Sequence, residues 1–397
     1  MNILVIGAGK FQISGIRKLK EKKHIVVAVD GDQHAEGKTY ADFFFHLDIN
    51  NPDLILDVLD KTNIRIDTAM CFATEAGLRS VAYINKKRKL IGLSEEQVEI
   101  ATNKALQREI MSTKGLPVPF FLRISNENFS DALIENLNFP IILKPVDNAG
   151  SRGVYKVSSK DELLDKINRS FSFSKYNSEI IIEEFIPGIE FTVEAIIVNS
   201  QISILGISEK KKPVNNFTVS VELFYNSPFV EKHRPEIEKI TKEFLEACQF
   251  NNTITHTEII YSYRDHKFYI VETTTRSGGF YIFDKILPYI TNLDIVGLTI
   301  DSLLNLNPVI DFISKKSAIL GFFYGNSGEI KKIEISESLM PPSSGYEYEL
   351  FVKENDIVTD LDTDGARLGY YVSYGKNWQE AYYNAKLLDY SVKIEVI

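Results

Sequence analysis

Residues with chemical potential concentrate in three stretches between positions 139 and 279. The first, Phe139–Val157 (FPIILKPVDNAGSRGVYKV), reads as a buried strand, a small-residue loop and a second strand. Lys144 follows the apolar run Ile141-Ile142-Leu143, and the loop Asp147–Gly153 comes directly after. Small residues there let the backbone N–H groups of Gly150, Ser151 and Gly153 approach an anion. Lys144 beside them supplies the point charge that phosphate oxygens take. A plain hairpin with a glycine turn and a surface lysine gives the same local pattern, so the later stretches decide. The second stretch, Ile180–Glu194 (IIIEEFIPGIEFTVE), carries Glu183, Glu184 and Glu190. The third, Tyr269–Gly279 (YIVETTTRSGG), carries Glu272, Thr274 and Arg276. Glu258 and Glu272 fall near matching points of neighbouring strands and offer the hard oxygens that Mg²⁺ bridging phosphates requires. Arg276 can grip a carboxylate or acyl phosphate as a planar fork. The N–H groups of Gly278, Gly279 and Phe280, entering a helix, would add anion donors.

Strand-Lys-Gly-loop, then E-E-x-x-x-G-x-E, then E-x-x-x-R-x-G-G, in that order, resembles the ATP-grasp superfamily, which includes D-alanine–D-alanine ligase, biotin carboxylase and bacterial L-amino acid ligases. The likeness runs over nearly the whole chain. It implies an ATP-grasp fold of α/β and α+β character and an ATP-dependent carboxylate–amine ligase with ATP, Mg²⁺ and optionally Mn²⁺ as cofactors. Carried over residue by residue, Lys104 of the Asn103-Lys104 pair and Lys144 reach ATP phosphates, Glu183 faces the adenine amine and Glu190 bonds the ribose. Backbone groups of Glu184 and Ile186 read the base edge inside a slot walled by Ile180–Ile182, Phe185 and Ile186. Lys210 matches a lysine near the γ-phosphate, although Lys210-Lys211-Lys212 leaves open which lysine does so. Glu258, Glu272 and Thr274 form the metal set, with Thr274 where the family usually has Asn. Arg276 and Lys210 are the catalytic candidates; Arg276, Gly278, Gly279 and Glu75 are the substrate candidates. The tail Arg367–Gly375 (RLGYYVSYG) before Glu380-Ala381 resembles the biotin carboxylase and amino acid ligase branch.

These residues need a scaffold, and the chain alternates to provide one. Asn2–Gly7, the Gly7-Ala8-Gly9 turn, a helix to about Lys22 and the strand His24–Asp30 outline a βαβ unit. Gln12 stands where the third glycine of a dinucleotide fingerprint belongs, which weakens a nicotinamide site. A strand near Phe43–Leu47, a helix at Pro52–Lys61, a strand at Asp67–Phe72 and a helix from Glu75 follow. Ser94 with Gln97 reads as a capping box. Beyond Lys104 come a strand Phe120–Arg123, a helix Phe129–Leu137, a helix Lys160–Ser170, a meander turning at Asn199-Ser200 and a helix Pro235–Gln249. The expected division is a Rossmann-like pre-ATP-grasp domain at 1–100, a two-lobed ATP-binding region at 101–310 (small lobe about 115–186) and a strand-rich cap at 311–397. Residues around Glu75, Phe217–Glu222 and Phe280–Phe283 are expected to set specificity, with Asn215–Tyr225 as a substrate lid.

The 397 residues suffice for roughly two to three domains. A net charge of −9 without a basic arm argues against a nucleic-acid surface. Cys71 and Cys248 are the only cysteines and read as reduced core residues. A strand that begins at Asn2 leaves no room for a signal peptide, and no apolar run is long enough to span a membrane. The expected setting is the cytoplasm, with small-molecule carboxylate and amine partners, no nucleic acid and no membrane. A homodimer is common among relatives. The six histidines form no close ligand set; His256 shares a strand face with Glu258 and reads as structural. Competing readings are an NAD-dependent oxidoreductase on the first βαβ unit, a carboxylase of the same fold, and a silent ATP-binding protein.

Overall fold

The computed structural model describes the chain apart from residues 126, 128, 177, 214–218, 314 and 342–344. Strands β1 (Asn2–Ile6), β2 (Ile25–Asp30), β3 (Phe43–His46) and β4 (Thr68–Met70) form a parallel sheet in the order β3-β2-β1-β4. Ile3–Ile6 and Val26–Val29 are fully buried, as continuous apolar runs must be when helices cover both faces. Asp30 does not wait for a ribose: its Oδ2 accepts the Ala8 N–H at 2.6 Å and its Oδ1 that of Asp32 at 2.8 Å. Gln12 is buried under the same turn, accepting the Phe72 N–H at 3.0 Å. The acid that a dinucleotide ribose would need is spent on closing the loop, and Gln12 fills the place of the third glycine, which disfavours the oxidoreductase reading.

The helix expected from Glu75 begins at Leu78, leaving Glu75 in the preceding turn. Ser94 and Gln97 cap each other reciprocally at 3.2 Å in both directions, and Asn103 caps the next helix, Lys104–Thr113, through the Leu106 N–H at 3.1 Å. A four-stranded sheet follows, with β5 (Phe121–Ser125), β6 (Ile141–Pro145), β7 (Tyr155–Val157) and β8 (Glu179–Glu184) in the order β5-β8-β6-β7. The helix Lys160–Ser172 packs against it, while the expected helix at 129–137 shrinks to Asp131–Ile134.

The remaining strands are β9 (Gly188–Val198), β10 (Gln201–Lys211), β11 (Glu222–Tyr225), β12 (Thr253–Ser262), β13 (Phe268–Thr274), β14 (Ser317–Phe323), β15 (Gly328–Ile335), β16 (Tyr346–Leu350), β17 (Ile357–Val358), β18 (Gly369–Gly375) and β19 (Val392–Val396). Eight of them make one sheet, β13-β12-β9-β10-β11-β14-β18-β16, so strands from beyond residue 310 extend the central sheet. Only β17, β15 and β19 form a separate three-stranded sheet. The β9–β10 meander turns at Asn199 and Ser200, both left-handed at φ +48° and +65°, the geometry that suits a two-residue hairpin. The helix expected from Pro235 starts seven residues earlier, at Pro228, where the Ser227 hydroxyl accepts the Val230 N–H at 3.2 Å. Pro228 in the first turn is the start signal; Pro235 lies inside the helix. Among the described residues no helix is long and apolar enough to cross a membrane.

Candidate active site

The small sheet, the central sheet and the first domain enclose a cavity of about 680 Å³. Nearly all of the expected site residues line it, and a set of buried charges organises its floor.

Glu183 on β8 lies between two buried cations, Arg108 Nε and Lys144 Nζ, each 2.6 Å from one of its oxygens. Burial works against the Glu183 carboxylate, but Arg108 and then Lys144 overcome it and hold its pKa below the ordinary value. Burial pushes Lys144 down, against the pull of Glu183. Buried ions need such partners. Glu183, expected to face a base, is therefore the counter-ion that fixes Lys144, with both oxygens engaged. Sequence reasoning missed Arg108; its signal was the i, i+4 spacing from Lys104, which puts both cations on one helix face.

Lys104 bridges two parts of the site, donating to the Asn148 carbonyl at 2.7 Å and pairing with Glu272 at 2.8 Å. In the loop, Asp147 accepts the N–H groups of Lys175 and Tyr176 at 2.9 and 2.6 Å, anchoring its start. Gly150 and Ser151 line the cavity in left-handed conformations, φ +69° and +57°. Gly153 does not line it. A Cβ on Gly153 would lie 2.8 Å from the Phe173 Cβ and 2.9 Å from the Pro145 Cγ, so this glycine serves packing rather than the expected anion cradle.

Glu258 on β12 and Glu272 on β13 are direct cross-strand partners, with a register irregularity immediately after Glu258. Like charges so placed repel. Lys210 lies 2.6 Å from Glu258, as Lys104 does at 2.8 Å from Glu272. Burial opposes ionisation of Glu258, yet Lys210 and His256 hold it well below the usual carboxylate range. Thr274, two residues on from Glu272, keeps its hydroxyl buried with no hydrogen-bond partner among the described residues. Among those residues no group of three or more His, Cys, Asp or Glu could hold a metal by itself. Two carboxylates and an orphaned hydroxyl fit Mg²⁺ that completes its shell with phosphate oxygens and water.

Strand alternation settles which lysines face inward. Lys210 and Lys212 line the cavity, and both pair with Glu190, Lys210 at 3.7 Å. Lys211 points away, pairing with Glu209 at 2.5 Å and lying over the Phe224 ring. His256, expected to be structural, also lines the cavity. It pairs with the fully buried Glu194 and lies 3.8 Å from Glu258. Burial opposes its protonation, but Glu194 and Glu258 prevail and raise it to about 9.

Glu194 also accepts the Gly278 N–H at 3.2 Å, which removes Gly278 from the expected anion donors. Gly279 lines the cavity. The helix expected to begin here does not: Phe280 and Tyr281 are both left-handed, φ +51° and +64°, and a π-helix, Ile282–Ile286, follows. Consecutive strained residues and π-turns gather at functional sites. Arg276 donates to the Ser277 carbonyl at 2.9 Å and meets Glu75 at 3.3 Å, while its Nε is buried without a partner among the described residues.

The apolar slot keeps Phe185 and Ile186 of the expected walls but replaces Ile180–Ile182. Ile142, Phe185, Ile186 and Ile270 line the cavity, whereas Ile180 and Ile182 point into the small-lobe core. The Glu184 N–H is committed to the Phe120 carbonyl at 3.0 Å, so it cannot read a base, and its carboxylate pairs with Arg264. Residues 215–218 of the expected lid lie outside the described residues; Ser220 and Leu223 line the cavity.

Comparison with known proteins places these features. Residues 137–284 match the ATP-grasp domain family. D-alanine–D-alanine ligase of Wolbachia pipientis wMel is 28% identical over 184 residues, 45% of this chain and 56% of that enzyme. The chain thus spans about half the length of that curated relative. L-amino acid ligase of Bacillus licheniformis superposes with a TM-score of 0.84 at 19% identity, covering 100% of this chain and 98% of that one. The biotin carboxylase domain of Hydrogenobacter thermophilus 2-oxoglutarate carboxylase, a dimer in complex with MgADP, ADP and bicarbonate, superposes at 0.76 with 14% identity, covering 100% and 90%. The chain carries an ATP-grasp domain and takes the ATP-grasp fold over its whole length.

Proposed function

We propose that the protein is an ATP-dependent carboxylate–amine ligase that forms an amide bond through an acylphosphate, releasing ADP and phosphate. The observation that carries this reading is the Glu258–Glu272 pair, directly opposed on β12 and β13 with Lys210 and Lys104 against it on the cavity floor. Mg²⁺, or Mn²⁺ in its place, held by these carboxylates with Thr274 beside them would supply charge neutralisation at the phosphates.

The chain's own residues then divide the work. Ile142, Phe185, Ile186 and Ile270 offer a dry slot for adenine, and Glu190 takes the ribose hydroxyls. Lys104, Lys144 and the backbone of Gly150 and Ser151 hold the phosphates. Lys210 stands beside the phosphoryl group being transferred. Arg276 grips the substrate carboxylate, with Glu75 and Gly279 next to it. A carboxylate oxygen attacks the γ-phosphorus and the bond to ADP breaks. The amine nitrogen then attacks the acyl carbon, the carbon–oxygen bond to phosphate breaks, and the amine proton leaves to solvent. No enzyme nucleophile takes part; positioning and charge do the catalysis.

The same reading divides the chain into domains at 1–100, 101–310 and 311–397. It places the protein in the cytoplasm, which suits two buried free cysteines, with small acids and amines as its partners. A homodimer is the assembly to test by solution mass. The testing experiment is ADP and phosphate release from Mg-ATP against panels of carboxylates and amines, with Arg276→Ala as control. Release that needs both an acid and an amine and is lost in the control supports a ligase. Release that needs bicarbonate instead moves the protein to carboxylase chemistry, and absence of ATP binding overturns the reading.

A further inference from the structure

The two carboxylates assigned to the metal stand on unequal backbone. Glu258 lies on β12, which is hydrogen-bonded on both sides, by β9 and by β13. Glu272 lies on β13, the outermost strand of the central sheet. The register of the pair passes from Glu258–Glu272 to Ile259–Ile270, so Val271 is an extra residue with no partner on β12. Such a bulge bends its strand and re-aims the side chain beside it. An edge strand also presents outward N–H and C=O groups that no further strand takes up. Left to itself, the segment carrying Glu272 would be the looser half of the metal site.

Side chains of the helix Lys104–Thr113 take the place of the missing strand. Gln107 is 1% exposed. Its Oε1 accepts the Thr273 N–H at 3.0 Å, and its Nε2 donates to the Thr273 carbonyl at 2.9 Å. A primary amide carries the same donor and acceptor as a peptide unit, so it closes on Thr273 as a neighbouring strand would. Nε2 also donates to the Ile100 carbonyl at 2.8 Å. On the other side of Glu272, Arg108 Nη2 donates to the carbonyl of the bulged Val271 at 2.7 Å. Both backbone neighbours of Glu272 are thus held from one helix, and Lys104 of that helix pairs with the carboxylate itself. Gln107 spends its amide on backbone, so it acts through Glu272 and not on a ligand. Mg²⁺ demands near-ideal placement of its oxygens, which gives the backbone beside Glu272 a direct bearing on affinity.

We propose that Gln107 is a positioning residue for the metal: by standing in for a strand at Thr273, it holds the bulged edge so that Glu272 and Glu258 meet one divalent cation. This rests on the ligase reading, which places Mg²⁺ on these two carboxylates. It goes beyond that reading by giving part of the site's affinity to a residue whose polar atoms face only backbone.

Calorimetric titration of the full chain with ADP, once in Mn²⁺ and once in EDTA, tests it. In the wild type Mn²⁺ should tighten ADP binding, because it neutralises the carboxylates that face the phosphates. Gln107→Leu, an apolar side chain of similar volume, should cut that gain about tenfold, the scale on which losing the support of a metal ligand acts. Its affinity for ADP in EDTA should stay unchanged. Gln107→Asn, an amide one methylene too short to close on Thr273, should cut the gain severalfold and stands in if the leucine variant does not fold. Glu272→Gln should remove most of the gain by itself, and adding Gln107→Leu to it should remove no more. A gain unchanged in the Gln107 variants, an equal loss of ADP affinity with and without the metal, or a further loss on the Glu272→Gln background would overturn the proposal. A wild type that binds ADP no better in Mn²⁺ than in EDTA would instead overturn the metal reading of Glu258 and Glu272, and the proposal with it.

Discussion

Replacing Glu183 with glutamine keeps the shape of the side chain and removes the one anion between Arg108 and Lys144. At 2.6 Å and an effective dielectric near 20, each contact corresponds to about 6 kcal/mol of attraction, most of it offset by the desolvation of three buried ions. What the substitution exposes is the cost of two uncompensated buried cations. Removing one partner of a buried pair typically destabilises by about 3–5 kcal/mol. Glu183→Gln should lose that much, measured by urea unfolding followed by circular dichroism. Trp378, the only tryptophan, lies in a C-terminal helix and would report poorly on the small lobe. Arg108→Gln should also destabilise, and the double variant should lose less than the sum, with a coupling of about 0.5–3 kcal/mol. Additive losses, or a loss below about 1 kcal/mol for Glu183→Gln, would refute the claim that Glu183 is the counter-ion of Lys144.

The same carboxylate predicts a pH signature: held below its ordinary value of 4.5, Glu183 adds stability that is fully present above that pH and is lost as pH falls through its folded value. The gap between wild type and Glu183→Gln, followed by acid titration of unfolding midpoints, should be constant above 4.5 and close below it. Glu272→Gln should leave the apo fold within about 1 kcal/mol, because it also relieves repulsion from Glu258. It should remove the stabilisation by Mg-ATP, worth about 2.7 kcal/mol at a hundredfold excess over Kd, that the wild type shows in thermal melts and loses on adding EDTA. Gly153→Ala, strained at φ +77° and crowded by Phe173, should cost about 1–3 kcal/mol. Gly150→Ala, left-handed at φ +69° but with nothing within 4 Å of the added carbon, should cost only the backbone strain of about 1 kcal/mol and raise the KM for ATP in the ADP-release assay.

Ordered motifs make the fold legible in the sequence, together with most of the side chains that share the cavity. Glu258 and Glu272 could be paired because alternation and the short Arg264–His266 turn fix the register of their strands. Lys104 was legible through Asn103, whose cap places the lysine at the head of its helix. Arg108 and His256 were not, because their meaning depends on partners 75 and 62 residues away: Glu183 and Glu194. Gly278 misled for a similar reason, since its N–H is taken by Glu194 from a strand 84 residues earlier. Local pattern specifies which side chains share a face; it does not say which buried charge will find which.

The central claim is that a carboxylate oxygen becomes part of the released phosphate. The most direct measurement uses an acid labelled with ¹⁸O in its carboxylate, turned over with Mg-ATP and its amine, followed by mass analysis of the phosphate. The account predicts one labelled oxygen in each phosphate released. Phosphate free of label would contradict it.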